Sequence, residues 1–231
     1  MYFDYYYLIL VVPALLVALW AQIRVKTTFS KYSRVPARLT GAQASEAIQR
    51  RRGLSVPIQP IAGELTDNYD PRSGVIHLSQ PVCNVASVAA VGVAAHETGH
   101  ALQYAEGYAP MKLRGAIVPA TQIASSVSVW LFILGLFIGA WANVYTLAYV
   151  GLFGFFLIFL FQLITLPVEF NASRRALRAL EEDGVLSAEE LRGARQVLTA
   201  AALTYVAAML VALTQFLRFF LILSNNRNRR S

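Results

Sequence analysis

The chain has 231 residues, room for one or two domains, of which 56% are hydrophobic and only 14% charged. An ordinary soluble domain carries about a quarter charged residues, so the composition argues against that class and points to a membrane protein. The net charge of +7 is not gathered on one continuous face, so nucleic acid is not an expected partner, and a lone Cys83 excludes an internal disulfide framework.

Taken in chain order, Tyr5 to Ile23 (YYYLILVVPALLVALWAQI) is uncharged and close to the roughly 20 residues that a spanning helix needs. It follows MYFD, with an acid and no Lys or Arg, so an uncleaved anchor is expected rather than a signal peptide. Arg24, Lys26, Lys31, Arg34 and Arg38 come directly after it. By the positive-inside rule they place Arg24 to Arg114 in the cytosol.

Within that segment, PARLTGAQASEAIQRRRGL reads as a short helix closed by Gly53, because Gly is the usual residue just past a helix end. IAGELTDNYDPRSGVIHLS reads as a hairpin of two short strands around Asp70-Pro-Arg-Ser-Gly74. Val85 to Glu106 reads as a helix rich in Ala and Val, stopped by Gly107.

Gly115 to Val168 is a second uncharged run, 54 residues long. As helix it would be roughly 80 Å, far more than one crossing of ~30 Å. Two spans are therefore expected, turning at GAWANVY (Gly139 to Tyr145), whose Trp141 and Tyr145 suit a membrane interface. Ser187 and Glu190 have the spacing of a capping box and start a helix that runs into a fourth apolar run, Val197 to Leu217. Arg218, the patch FFLIL and a tail with Arg227, Arg229 and Arg230 follow. Four spans put that basic tail outside, in conflict with the rule that places the first polar segment inside.

The stretch VAAHETGHALQ (Val93 to Gln103) carries two of the three histidines four residues apart. On a helix, His96 and His100 share a face and reach one ion, with Glu97 turned about 100° away. This is the H-E-x-x-H arrangement of two zinc ligands and a general base. Zinc brings the pKa of its water to about 7 and polarises a scissile carbonyl, while Glu97 moves the proton. A catalytic zinc usually has three protein ligands. His77 reads as a strand side chain or a substrate contact, and Cys83, Asp67 and Asp70 remain open as ligands. Glu169, in LPVEFNASRRAL, is better placed: two spans return the chain to the face it left, and a carboxylate at the edge of an apolar span needs a partner. The rival account of Glu169 is a helix-start carboxylate favoured by the dipole. Asn171 and Ser173 beside it match a glycosylation sequon, but so near a membrane and a metal a supporting role at the metal is preferred.

These blocks resemble the neutral zinc metallopeptidases of bacterial membranes, the YugP-like family. The resemblance runs through LTDNYDPRSGVIHLSQPV, SVAAVGVAAHETGHALQ, LPVEFNASRRAL and AAALTYVAAMLVALTQFLR, from about Gly63 to Leu223. More distantly the order of parts is similar to HtpX and the CAAX prenyl proteases. The resemblance implies His96, His100 and Glu169 as ligands of one zinc ion, with Glu97 as the base. Two positions depart from it: family members often carry His where Asn68 stands, and the HtpX relatives an Asp where Ser173 stands.

The expected protein is thus a mainly α membrane protein of about four transmembrane helices with a small α+β, zincin-like catalytic domain. Its parts are an anchor (1–23), a catalytic segment with hairpin and HETGH helix (24–114), two spans (115–168), a helix with the third ligand and connector (169–196) and a last span with basic tail (197–231). The expected function is a zinc-dependent endopeptidase of the bacterial cytoplasmic membrane, its site facing the cytosol and its partners a peptide or protein substrate and the bilayer. Val75 and His77 are substrate contacts if the strand Gly74 to Ser79 accepts an extended peptide by strand addition. The rivals are an intramembrane protease and a non-catalytic zinc-binding scaffold or transporter. Against the first, Val85 to Ala95 is too short to span; against the second, Glu97 beside the pair has no use in a scaffold.

Overall fold

A computed structural model describes residues 5–142 and 144–228; Asn143 in the expected turn and the tail residues Arg229 and Arg230 lie outside the described residues. In chain order the elements are α1 (Tyr7–Ser33), α2 (Gly41–Arg51), β1 (Ile58–Ile61), β2 (Asn68–Asp70), β3 (Val75–Ser79), a short α3 (Gln80–Cys83), α4 (Val88–Ala105), α5 (Ala109–Ala142), α6 (Thr146–Glu182) and α7 (Ala188–Asn228). Helices α1, α5, α6 and α7 are long and apolar enough to cross a membrane, and α4, which carries HETGH, is not among them.

The helix ends follow from local chemistry. Thr40 caps α2 in a reciprocal box with Gln43, Ser87 caps α4 by accepting from the Ala90 N–H, and Ser187 with Glu190 closes a second box ahead of α7. Each such cap satisfies N–H groups that a helix start leaves orphaned.

The hairpin expectation is met by β2 and β3, which pair antiparallel around the turn at Asp70. The Asp70 carboxylate accepts from the Arg72 N–H and the Ser73 hydroxyl. A third strand joins them: β1 pairs parallel with β3, giving the order β1-β3-β2. This corrects one expectation. β3 is hydrogen-bonded on both sides and Val75 is buried, so the stretch from Gly74 to Ser79 has no open edge for a substrate strand. The open edges belong to β1 and β2.

A second correction concerns Glu169. It does not begin a helix but lies deep within α6, which continues through Pro167 to Glu182. A helix dipole acts within the first turn, so that rival explanation of the carboxylate lapses.

The chain divides into two compact units, one of Met1–Trp20, Leu113–Leu166 and Tyr205–Ser231, the other of Ala21–Lys112 and Pro167–Thr204. The first is held by aromatic packing of Phe132 and Phe155 on Phe219, with ring centroids 4.6 and 4.3 Å apart. In the second, Ile48, Val91, Ala95, Ala176, Leu180 and Leu198 form a core that joins α2, α4, α6 and α7, each large aliphatic side chain contributing about 1.5–3 kcal/mol on burial. Ile76, Leu78 and Val82 seat the sheet on Ala94 and Ala101 of α4. The α4–α6 crossing is close because Gly99 has no side chain: a Cβ there would lie 2.6 Å from the Ala172 carbonyl oxygen.

The Gly99→Ala variant should therefore lose about 1–3 kcal/mol through overpacking, lowering the melting point in detergent by several degrees. Gly115→Ala, whose Cβ would meet open space, should be neutral or slightly stabilising, as Ala is the better helix former.

Candidate metal centre

Helix α4 is apolar and buried almost all round, which is the pattern of a core helix. Its polar residues divide between two faces. On one, the Thr98 hydroxyl bonds the Ser45 hydroxyl of α2 at 2.7 Å and donates to the Ala94 carbonyl. On the other, His96 and His100 stand one turn apart with ring centroids 4.7 Å apart and planes at 83°.

Both imidazoles meet Glu169 of α6. The Oε2 atom of Glu169 lies 3.2 Å from His96 Nε2 and 3.4 Å from His100 Nε2, and the carboxylate is 2% exposed. Donor atoms of these three residues fall within 4.8 Å of one another, a grouping that could hold a metal ion. Donors about 2.1 Å from a tetrahedral ion lie roughly 3.4 Å apart, so the observed separations are those of a coordination edge.

The hydrogen bonds behind the histidines sharpen the point. Gln103, fully buried on the same face as His100, places its Nε2 2.8 Å from the Val168 carbonyl oxygen and 2.9 Å from Asn171 Oδ1. A carbonyl oxygen only accepts, and Asn171 Oδ1 is itself fixed as an acceptor by the Arg175 Nε–H at 2.7 Å, because a guanidinium cannot accept. Both Gln103 amide protons are thereby committed, and its Oε1 must face His100 Nδ1, 3.0 Å away. His100 consequently donates from Nδ1, and its neutral imidazole, the form that binds a metal, presents the Nε2 lone pair to Glu169. Two acceptors facing each other in a buried site repel, and a cation between them removes the repulsion. The donor set thus fits zinc: two imidazoles and one carboxylate. His96 Nδ1 lies 3.1 Å from the Ser173 hydroxyl, which donates or accepts as required.

Glu97, next in sequence to His96, is buried, and its carboxyl is pushed up to about 7. Burial is the main cause; the charges of Glu169 and Asp67 add to it, while His96 and the Tyr69 backbone N–H of β2 oppose it. Asp67 is also raised by burial, although its carboxylate accepts from the Ser79 N–H and hydroxyl.

The structure brings together His96, Glu97, His100 and Glu169, with Asn171 and Ser173 hydrogen-bonded around them. Among the described residues the metal-capable grouping does not include His77, Cys83, Asp67 or Asp70. His77 is instead within hydrogen-bonding distance of Asn68 across the β2–β3 pair, 3.2 Å from its Oδ1, and Cys83 is buried beside the sheet. Sequence reasoning did not single out Gln103, Arg175 or Tyr69. Gln103 had a usable signal, a polar residue three positions after His100 in an apolar helix, where i and i+3 share a face. Tyr69 acts through its backbone and left none.

A family model described as "Putative neutral zinc metallopeptidase" matches residues 7–224. The chain belongs to this family. It is 44% identical over 225 residues to a Bacillus subtilis (strain 168) protein named "Putative membrane protease YugP", a match covering 96% of this chain and 98% of that protein. No solved structure matches the chain. Membership in the family and four apolar helices make this an integral membrane protein of the zinc metallopeptidase class.

The raised carboxyl of Glu97 has a consequence for the metal-free chain. A group whose folded pKa lies above its unfolded value favours folding at low pH and loses that contribution as pH rises through the folded value. Between about pH 4.5 and 7, metal-free wild type should lose stability relative to Glu97→Gln, whose side chain does not titrate. Melting curves of both proteins at pH 5 and pH 8, with chelator present, measure the difference.

Proposed function

We propose that the protein is a membrane-embedded zinc endopeptidase, with one zinc ion held by His96, His100 and Glu169 and with Glu97 as general base. The observation that carries this reading is the convergence of His96 Nε2, His100 Nε2 and one buried Glu169 oxygen beside an independent buried carboxyl. A zinc ion held by these three residues would supply a Lewis acid, able to polarise a peptide carbonyl and to lower the pKa of water to about 7.

The chain's own residues do the rest. The Glu97 carboxylate takes a proton from the attacking water and returns it to the leaving amine nitrogen; burial suits it to hold that proton near neutral pH. Gln103 and Ser173 orient the two imidazoles through their Nδ1 atoms, and such outer partners typically contribute 10–100-fold to metal affinity or activity. The open edge of β2 borders Glu97 through the Tyr69 N–H, so an extended peptide pairing there would be read mainly through its backbone. A scaffold reading leaves the buried base beside the ligands without a task.

Glu97→Gln should abolish cleavage of an unfolded substrate in detergent while retaining zinc, and full activity of this variant would rule out the mechanism. Glu169→Ala should lose both zinc and activity, whereas Glu181→Ala, exposed on the same helix, should keep both; metal analysis and a peptide assay on the same preparations decide.

The site is proposed to face the cytosol of a bacterial cell, on the strength of the basic residues after the first span. A cysteine placed at Ser55, in a chain whose only native thiol is buried, should stay unlabelled by an impermeant reagent added to intact cells. Labelling from outside would reverse the assigned orientation.

A further inference from the structure

A second polar feature lies behind the metal-binding residues, within the same compact unit. Arg52 after α2, Glu106 after α4 and Arg174, Arg175, Arg178 and Glu182 of α6 line a cavity of about 270 Å³. Four arginines against two glutamates leave an excess of two positive charges. Glu106 holds Arg175 at 2.6 Å and Glu182 holds Arg52, but both pairs are solvent-exposed and such pairs are individually weak. Arg174 and Arg178 are exposed and have no protein partner among the described residues. They stand four apart on α6, where like charges repel each other.

We propose that this cavity binds an oxyanion of the phosphate class, either free or as the head group of an anionic lipid. A phosphate group carries close to two negative charges at pH 7 and several acceptor oxygens. It matches the excess charge, and the guanidinium forks suit it better than ammonium groups would. The volume is below that of a typical small-molecule pocket and of the right order for a head group.

The cavity is wired to the metal-binding residues. Arg175, at its wall, donates from Nε to Asn171, which accepts from Gln103, which accepts from His100. A bound anion would hold Arg175 through its outer nitrogens in place of Glu106, and leave Nε on Asn171. Resting on the reading of His100 as a zinc ligand, occupancy of the cavity and of the metal position should therefore strengthen each other.

Equilibrium dialysis of the full chain in detergent against radiolabelled inorganic phosphate, at constant ionic strength, tests the site without reference to proteolysis. The expected result is saturation at one phosphate per chain. Replacing both free arginines (Arg174→Gln with Arg178→Gln) should weaken binding by at least about tenfold, whereas Lys31→Gln with Arg34→Gln removes two charges elsewhere and should not. Equal loss in both double variants would show that only general surface charge is involved and overturn the site.

Nanodiscs separate the sources. Loss of phosphate retention in phosphatidylglycerol discs but not phosphatidylcholine discs assigns the cavity to a lipid head group; retention in both assigns it to free phosphate. No retention in detergent, together with no dependence of phosphatidylglycerol binding on Arg174 and Arg178, overturns the proposal. Phosphate saturation should raise zinc affinity about fivefold or more, and an unchanged affinity would refute the coupling. A chain that binds phosphate but cleaves no peptide contradicts the proposed function and leaves this site standing.

Discussion

The arrangement of the metal-binding residues follows from one electrostatic constraint: a buried carboxylate, Glu169, faces an imidazole nitrogen whose proton has been assigned elsewhere. Arg175 can only donate, so Asn171 accepts; Asn171 and the Val168 carbonyl accept, so Gln103 donates; Gln103 therefore accepts from His100. That polarity runs without a free choice from a permanent cation to His100 Nδ1, and in the neutral ring it leaves a lone pair on Nε2. An acceptor pair at 3.4 Å in a site this dry costs free energy unless a cation lies between its members. The fold serves this point: Gly99 allows α6 to cross α4 at contact distance of the backbone, and small side chains at Ala95, Ala172 and Ala176 keep the two ligand-bearing helices together.

Much of this could be read in the sequence because it is local. The spacing of His96 and His100, the capping box of Ser187 and Glu190, the turn at Asp70 and the apolar runs each depend on residues within a few positions of one another. The parts that could not be read are long-range or made by backbone. β1 has only four residues with Pro60 among them, no alternation to mark it, and a parallel partner beyond the hairpin. The open edge that borders Glu97 is consequently that of β2, and not the strand that carries Val75 and His77.

Glu169 was legible as a ligand candidate for a reason that proved incomplete. Its position after an apolar run is real, but a helix start was expected there and the helix instead continues through Pro167. A proline inside a helix removes one backbone bond and crowds the preceding turn, yet α6 passes through it and two residues on presents Glu169 to His96 and His100 of α4. Gln103 shows the opposite case. Its identity was visible and its meaning was not, because a buried amide is informative only when all of its partners are known.

X-ray absorption at the zinc K-edge of the purified full chain tests the central claim most directly. The account predicts a first shell of nitrogen and oxygen only, at about 2.0–2.2 Å, with the outer-shell scattering of two imidazole rings. A sulfur scatterer at about 2.3 Å, which only Cys83 or a methionine could supply, or a shell with fewer than two imidazoles, would contradict it.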